Sequence, residues 1–125
     1  MYIDGKRCWI NQEILQIQGP DALKQAPEAS RQILAGGDSD TDVTFVSDAT
    51  KAHLTINKNG AELMCNAYNN VDGKWIVNPM FIEPKPQLKD GYPCATTARR
   101  DSDGDRSPAL DQNGNSIPDQ TDKVF

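Results

Sequence analysis

The chain has 125 residues, of which 37 % are hydrophobic and 25 % charged, and its formal net charge is −5. This size and composition are typical of one globular domain with a modest core. No run approaches the roughly 18 consecutive apolar residues of a membrane span. Without a basic stripe to replace counterions, nucleic acid is not expected as a partner. The first twenty residues lack the apolar segment of a signal peptide, which indicates a protein not exported by that route, a mature chain or a fragment.

The negative charge is concentrated at the C-terminal end. Six aspartates against Arg106 and Lys123 give residues 101–125 a charge of −4, which leaves −1 for residues 1–100. A local cluster of carboxylates is better matched to a small cation than to an extended basic surface.

Turn signals predict a sheet of short antiparallel strands. The dipeptides suited to type I′ hairpin turns are Asp4-Gly5, Asn59-Gly60, Asp72-Gly73 and Asp90-Gly91. Strand-like segments flank the first three at residues 2–3 and 6–10, 53–57 and 61–65, and 67–69 and 74–77, and another covers 42–46. We therefore expect an α+β, mostly β fold, in which a small antiparallel meander buries one face.

One helix is predicted within this meander. Residues 26–35 have Pro27 and Glu28 near the start, and Gly36-Gly37 follow as a stop signal. From residue 78 to 93 the sequence has four prolines and little periodicity, which indicates an extended connection. The expected organisation is a body over residues 1–78, a connector over 79–98 and an acidic tail over 99–125.

The three cysteines, Cys8, Cys65 and Cys94, have no spacing typical of a zinc site. Three reduced, partly buried thiols are the simpler expectation. The alternative is one disulfide and one free thiol, so cysteine usage alone does not settle the compartment.

The tail sequence DSDGDRSPALDQNGNSIPDQTD, residues 101–122, has the spacing of a calcium-binding loop. Calcium binds several oxygens at about 2.3–2.6 Å, and short side chains on alternate residues can supply them from a curled loop. From residue 111 onward an oxygen-bearing group falls at every ligand position of such a loop. In order, these are the side chains of Asp111, Asn113 and Asn115, the carbonyl of Ile117, and the side chains of Asp119 and Asp122.

This segment resembles the calcium-binding repeats of thrombospondin type 3 and of related EF-hand-like bacterial modules. The resemblance implies that Ca²⁺ is the bound ion and that Asp101, Asp103 and Asp105 are ligands in a first, less complete unit. Ser116 stands where these repeats have a glycine, and two ligands are neutral amides. The expected affinity is therefore weak, with a dissociation constant on the order of 10⁻⁴–10⁻³ M. A disordered acidic tail is the alternative.

No catalytic motif accompanies this tail. His53 is the only histidine and lies in a strand-like run, so a structural or exposed position is expected. Since there is no phosphate-binding loop, nucleophile elbow or metalloprotease motif, we predict that the protein is not an enzyme. The run CNAYNNVDGKWIVN, residues 65–78, is similar to hairpins near the ends of some phage tail-fibre proteins.

The sequence thus predicts a non-enzymatic structural or adhesive subunit with a C-terminal calcium-binding tail. Its expected setting is an extracellular or surface assembly, with protein partners or self-assembly and without membrane insertion. A phage virion component, such as a tail-fibre or decoration protein, is the first alternative. A small cytosolic binding or immunity-type protein is the second.

Overall fold

The computed structural model describes residues 5–78, 91–101 and 103–120. In these ranges the helices and strands, in chain order, are α1 (Gly5–Glu13), β1 (Leu34–Gly37), α2 (Val43–Ser47), β2 (Ala52–Ile56), α3 (Ala61–Asn69), β3 (Trp75–Asn78), β4 (Arg99–Arg100) and β5 (Arg106–Ser107). Short 3₁₀ segments cover Gly19–Leu23, Glu28–Ser30 and Asp40–Asp42.

The main sheet is parallel. Its strand order is β1-β2-β3, with Ala35 opposite His53 and His53 opposite Trp75. Parallel neighbours need a crossover connection, and the helices α2 and α3 provide one each. Both helices pack on the face of the sheet that carries these three residues. The chain is therefore an α/β mixture, and the predicted antiparallel meander is wrong.

The turn dipeptides Asn59-Gly60 and Asp72-Gly73 do not form type I′ hairpin turns. A type I′ turn needs positive φ at both central residues, but Asn59 and not Gly60, and Gly73 and not Asp72, have it. These residues lie in loops between helices and strands. The predicted strand at residues 2–3 lies outside the described residues. Of the other predicted strands, only residues 53–57 and 74–77 largely coincide with strands, whereas residues 6–10, 42–46, 61–65 and 67–69 lie mostly in helices. The segment resembling a tail-fibre hairpin, residues 65–78, contains the end of α3, a turn and β3.

The helix predicted over residues 26–35 is also wrong. One 3₁₀ turn, Glu28–Ser30, is followed by strand β1. The glycines that suggested a helix stop belong to this strand, and Gly37 is required there for close packing. A Cβ atom added to Gly37 would lie 2.5 Å from the Cβ of Asp42.

One hydrophobic cluster fills the space between the sheet and its helices. It consists of Ala35, Val43, Val46, Ala49, Leu63, Ala67 and Trp75.

Helix α1 is attached to this body by ion pairs. Arg7 donates two hydrogen bonds to the carboxylate of Asp48, at 2.6 and 2.7 Å, and Lys6 pairs with Asp42.

A second cluster joins the acidic tail to α3. Its buried members are Met64, Cys65, Tyr92, Cys94, Ala98, Ala109 and Ile117. Cys65 and Cys94 form a disulfide while Cys8 is a free thiol, which is the second of the two cysteine arrangements considered from the sequence. The tail therefore shares an apolar core with α3.

In the described ranges, no helix combines the length and apolarity needed to cross a bilayer.

The buried isoleucine of the tail gives a direct test of this shared core. Ile117 is 1 % exposed, so Ile117→Ala should lower the free energy of unfolding by about 2–5 kcal/mol in urea denaturation, because it leaves a cavity. Ile76 on the open face of the sheet is 54 % exposed, and Ile76→Ala should cost less than about 1 kcal/mol. Equal small losses for the two variants would contradict the shared core.

The disulfide gives a second test. It closes a loop with a sequence separation of 29 residues, so Cys65→Ser/Cys94→Ser should lose about 3–4 kcal/mol of stability through the greater entropy of the unfolded chain. Cys8→Ser is the matched control and should retain wild-type stability. If the double variant and the control unfold at the same urea concentration, the cross-link does not constrain the fold.

Candidate functional site

The second unit of the acidic tail forms a compact loop around one carboxylate. Oδ1 of Asp111 accepts the backbone N–H of Asn113 at 2.8 Å and of Asn115 at 3.0 Å. The backbone N–H of Asp111 donates to the carbonyl of Asn115 at 2.8 Å. The chain can turn this tightly because Gly114 has a φ of +84°.

The first unit repeats this geometry ten residues earlier. Oδ1 of Asp101 accepts the backbone N–H groups of Asp103 and Asp105, both at 2.9 Å. The backbone N–H of Asp101 donates to the carbonyl of Asp105 at 3.0 Å, and Gly104 has a φ of +87°. The two units are therefore structural repeats.

Short antiparallel pairings close both loops at equivalent positions. Arg100 pairs with Arg106 in the β4–β5 ribbon, and Leu110 pairs with Ser116 through an isolated bridge. The resemblance to thrombospondin type 3 repeats implies a glycine at the position of Ser116. The positive φ falls two residues earlier, at Gly114, and Ser116 is outside the positive-φ region. Ser116 consequently introduces no backbone strain.

Most of the predicted ligands that the structure describes are exposed. The side chains of Asp101, Asp103, Asp105, Asn113, Asn115 and Asp119 face solvent, and Asp111 is half-buried. The side chain of Ile117 is buried in the second cluster, so only its carbonyl could bind an ion. The last predicted ligand, Asp122, lies outside the described residues.

The predicted ligands are only partly brought together. Oδ1 of Asp119 accepts the backbone N–H of Ala95 at 2.7 Å, next to the disulfide. Among the residues that the structure describes, no three acidic, histidine or cysteine side chains are close enough to hold a metal ion. The other predicted ligands of the second unit include the side-chain amides of Asn113 and Asn115 and the backbone carbonyl of Ile117. In both units one oxygen of the leading aspartate organises the loop, which leaves Oδ2 as the oxygen for a cation.

A buried polar network lies beside the tail and was not predicted from the sequence. His53 is completely buried on β2, its Nδ1 is 2.7 Å from the carbonyl of Val46, and its Nε2 is 2.7 Å from Oδ2 of Asp72. The ring stacks on Trp75 with 4.5 Å between centroids. Both polar partners are acceptors, so both bonds form together only when each ring nitrogen carries a hydrogen.

Gln112 connects this network to the tail. Its Nε2 donates to Oδ2 of Asp72 at 2.9 Å, and its Oε1 accepts the indole N–H of Trp75 at 3.2 Å. Burial alone would raise the pKa of Asp72. The hydrogen bonds from Gln112, His53 and the backbone N–H of Lys74, together with the charge of His53, outweigh burial and lower that pKa below its usual value.

Comparison with known proteins found no matching family model, no matching curated protein and no matching solved structure.

The lowered pKa of Asp72 predicts a pH-dependent contribution to stability. A carboxylate whose pKa is lower in the folded than in the unfolded chain stabilises the fold above its unfolded value of about 3.9. That contribution is lost as the pH falls through the folded value. At pH 7, Asp72→Asn should reduce the free energy of unfolding by about 2 kcal/mol, because hydrogen bonds to a charged acceptor are lost.

The difference between wild type and Asp72→Asn should shrink as urea denaturation is repeated toward pH 3. The control Asp21→Asn changes an exposed aspartate and should match wild type throughout. A difference that stays constant with pH would show that the charge of Asp72 does not stabilise the fold.

Proposed function

We propose that this protein is a non-enzymatic structural or adhesive subunit of an extracellular or surface assembly, and that its C-terminal tail binds calcium. The observation that carries the proposal is the repeated loop. Two segments ten residues apart fold around the leading aspartates Asp101 and Asp111 in the same way, and both present exposed oxygen-bearing side chains.

The second loop is the better calcium site because it offers more ligands. Asp111, Asn113 and Asn115 supply side-chain oxygens on alternate residues, Ile117 supplies its carbonyl, and Asp119 supplies Oδ2. Oxygen-only coordination of this kind suits calcium. In the first loop, Asp101, Asp103 and Asp105 are followed by Ala109 at the position equivalent to Asp119, so this loop binds more weakly or shares ligands with the second.

The surroundings of the loops favour a static role over a calcium switch. A sensor EF-hand opens a pair of flanking helices, whereas both loops here are closed by short antiparallel pairings and held to α3 by Cys94, Ala109 and Ile117. Calcium would neutralise the exposed carboxylates and stiffen a tail already anchored to the body. Such a tail suits a spacer or a docking element.

The disulfide supports a location outside the reducing cytosol. Cross-links such as Cys65–Cys94 persist in oxidising compartments, and weak calcium sites fill where calcium is abundant.

The buried histidine supports a non-enzymatic role. Both ring nitrogens of His53 are engaged and the side chain is completely buried, so neither nitrogen is presented to a substrate.

Calcium titration tests the proposal. Isothermal calorimetry of the full chain should give binding with a dissociation constant on the order of 10⁻⁴–10⁻³ M. Asp101→Asn/Asp111→Asn keeps an oxygen that can accept the loop hydrogen bonds but removes two charges. This variant should weaken binding at least about tenfold, since ligand charge sets affinity.

Asp21→Asn, which removes one exposed charge far along the chain from the tail, is the control and should bind as wild type does. The absence of binding heat at millimolar calcium, with unchanged thermal stability, would refute calcium binding. Equal affinity in all three proteins would show that the ions bind elsewhere.

A further inference from the structure

A groove lined by residues between positions 10 and 45, which are distant in sequence from the tail, has the properties of a binding site. It has a volume of about 520 Å³ and lies between α1 and β1. Its main apolar walls are Ile10, Ile14, Leu15, Leu34 and Phe45. Ile14 is 62 % exposed and Leu34 is 60 % exposed, so apolar surface remains open to solvent there.

Arg31 is charged, and it is the one charged residue among the described residues in the wall of this groove. Its Nε is buried and has no hydrogen-bond partner, and no carboxylate of the described residues forms an ion pair with it. The nearby cations Lys6 and Arg7 are both paired with aspartates. Arg31 as a whole is half-buried, and an unpartnered guanidinium donor beside apolar walls is best satisfied by a carboxylate, which it can bind through two parallel hydrogen bonds.

The groove also borders an open strand edge. β1 is the outer strand of the parallel sheet, and no other strand of the described residues pairs with its outer edge. Leu34, Ala35 and Gly36 of this strand line the groove, so the groove runs along β1. Unpaired backbone groups beside an apolar groove favour the addition of an extended peptide as a further strand.

We propose that this groove binds an extended apolar peptide segment of a partner protein, with its C-terminal carboxylate on Arg31. Arg31 precedes Leu34 by three residues, and extended backbone rises about 3.3 Å per residue, so a segment of a few residues spans both. Since Arg31 lies before the start of β1, a peptide ending there runs antiparallel to β1.

The charges of the groove favour a peptide partner over a second copy of this chain. Among the described residues that line the groove none is acidic, so pairing two grooves would bring two Arg31 side chains together without a carboxylate from these walls. A fatty acid would satisfy the guanidinium and the apolar walls but would leave the edge of β1 unpaired. The inference supplies a partner surface for the structural role proposed above, yet it does not require calcium.

Fluorescence anisotropy in EDTA tests the inference on the full chain. The probe is a pool of fluorescein-labelled pentapeptides that end in valine, isoleucine, leucine or phenylalanine with a free carboxylate. We expect saturable binding that is weakened at least tenfold when the same peptides end in an amide. Because EDTA removes calcium, this binding persists even if the calcium proposal fails.

Variants of the groove complete the test. Arg31→Gln should abolish the preference for the carboxylate over the amide, and Ile14→Asp should weaken both forms. Arg100→Gln removes an exposed cation outside the groove and should bind the pool as wild type does. Ile14 is largely exposed, so folding of its variant is expected and is checked by circular dichroism.

Several results would overturn the inference. These are no binding of the pool, equal binding of carboxylate and amide peptides, and full displacement of the probe by decanoate, which would identify the groove as a fatty-acid site. A wild-type dimer in sedimentation that Ile14→Asp converts to a monomer would identify the groove as a self-association surface.

Discussion

The covalent bond between Cys65 and Cys94 is the constraint on which the tail depends. It holds the segment that follows residue 90 against α3, and successive contacts extend from it. The carbonyl of Cys94 accepts the backbone N–H of Ala109 at 2.7 Å, and the carbonyl of Ala109 accepts that of Ile117 at 2.9 Å. Each acidic loop is thereby followed by a buried residue that fixes it to the body. A chain with few apolar residues in its tail folds this tail by cross-linking it to a helix.

Burial and charge are divided between the two sides of the tail. Ala109 and Ile117 face α3, while most of the described aspartates and asparagines face solvent and Asp111 is half-buried. Gln112 adds a polar connection to the network of His53 and Asp72. This division explains how backbone hydrogen bonds and buried neighbours shape the loops around Asp101 and Asp111, and why the expected effect of calcium is local stiffening. A loop that is already formed loses less conformational entropy when it binds.

The sequence was informative about the two acidic loops and uninformative about strand pairing. Residue spacing located the repeated loops, because an aspartate, a glycine and alternate polar residues determine their shape within five positions. Strand direction depends instead on which segments meet across the core, and Asn59-Gly60 fits a loop before a helix as well as a hairpin. The disulfide and the bond between Gln112 and Asp72 join residues far apart in the chain, so local pattern could not reveal them.

Amide hydrogen exchange in EDTA is the most direct test of the central claim that the disulfide and the second cluster stabilise the folded tail. If Cys65–Cys94 and the second cluster anchor the tail, the amides of Ala109, Ile117 and Gln120 exchange as slowly as those in α3, and addition of calcium slows the loop amides of Asn113 and Asn115 further. Exchange of Ala109 and Ile117 at unfolded-chain rates, while α3 stays protected, would contradict the account.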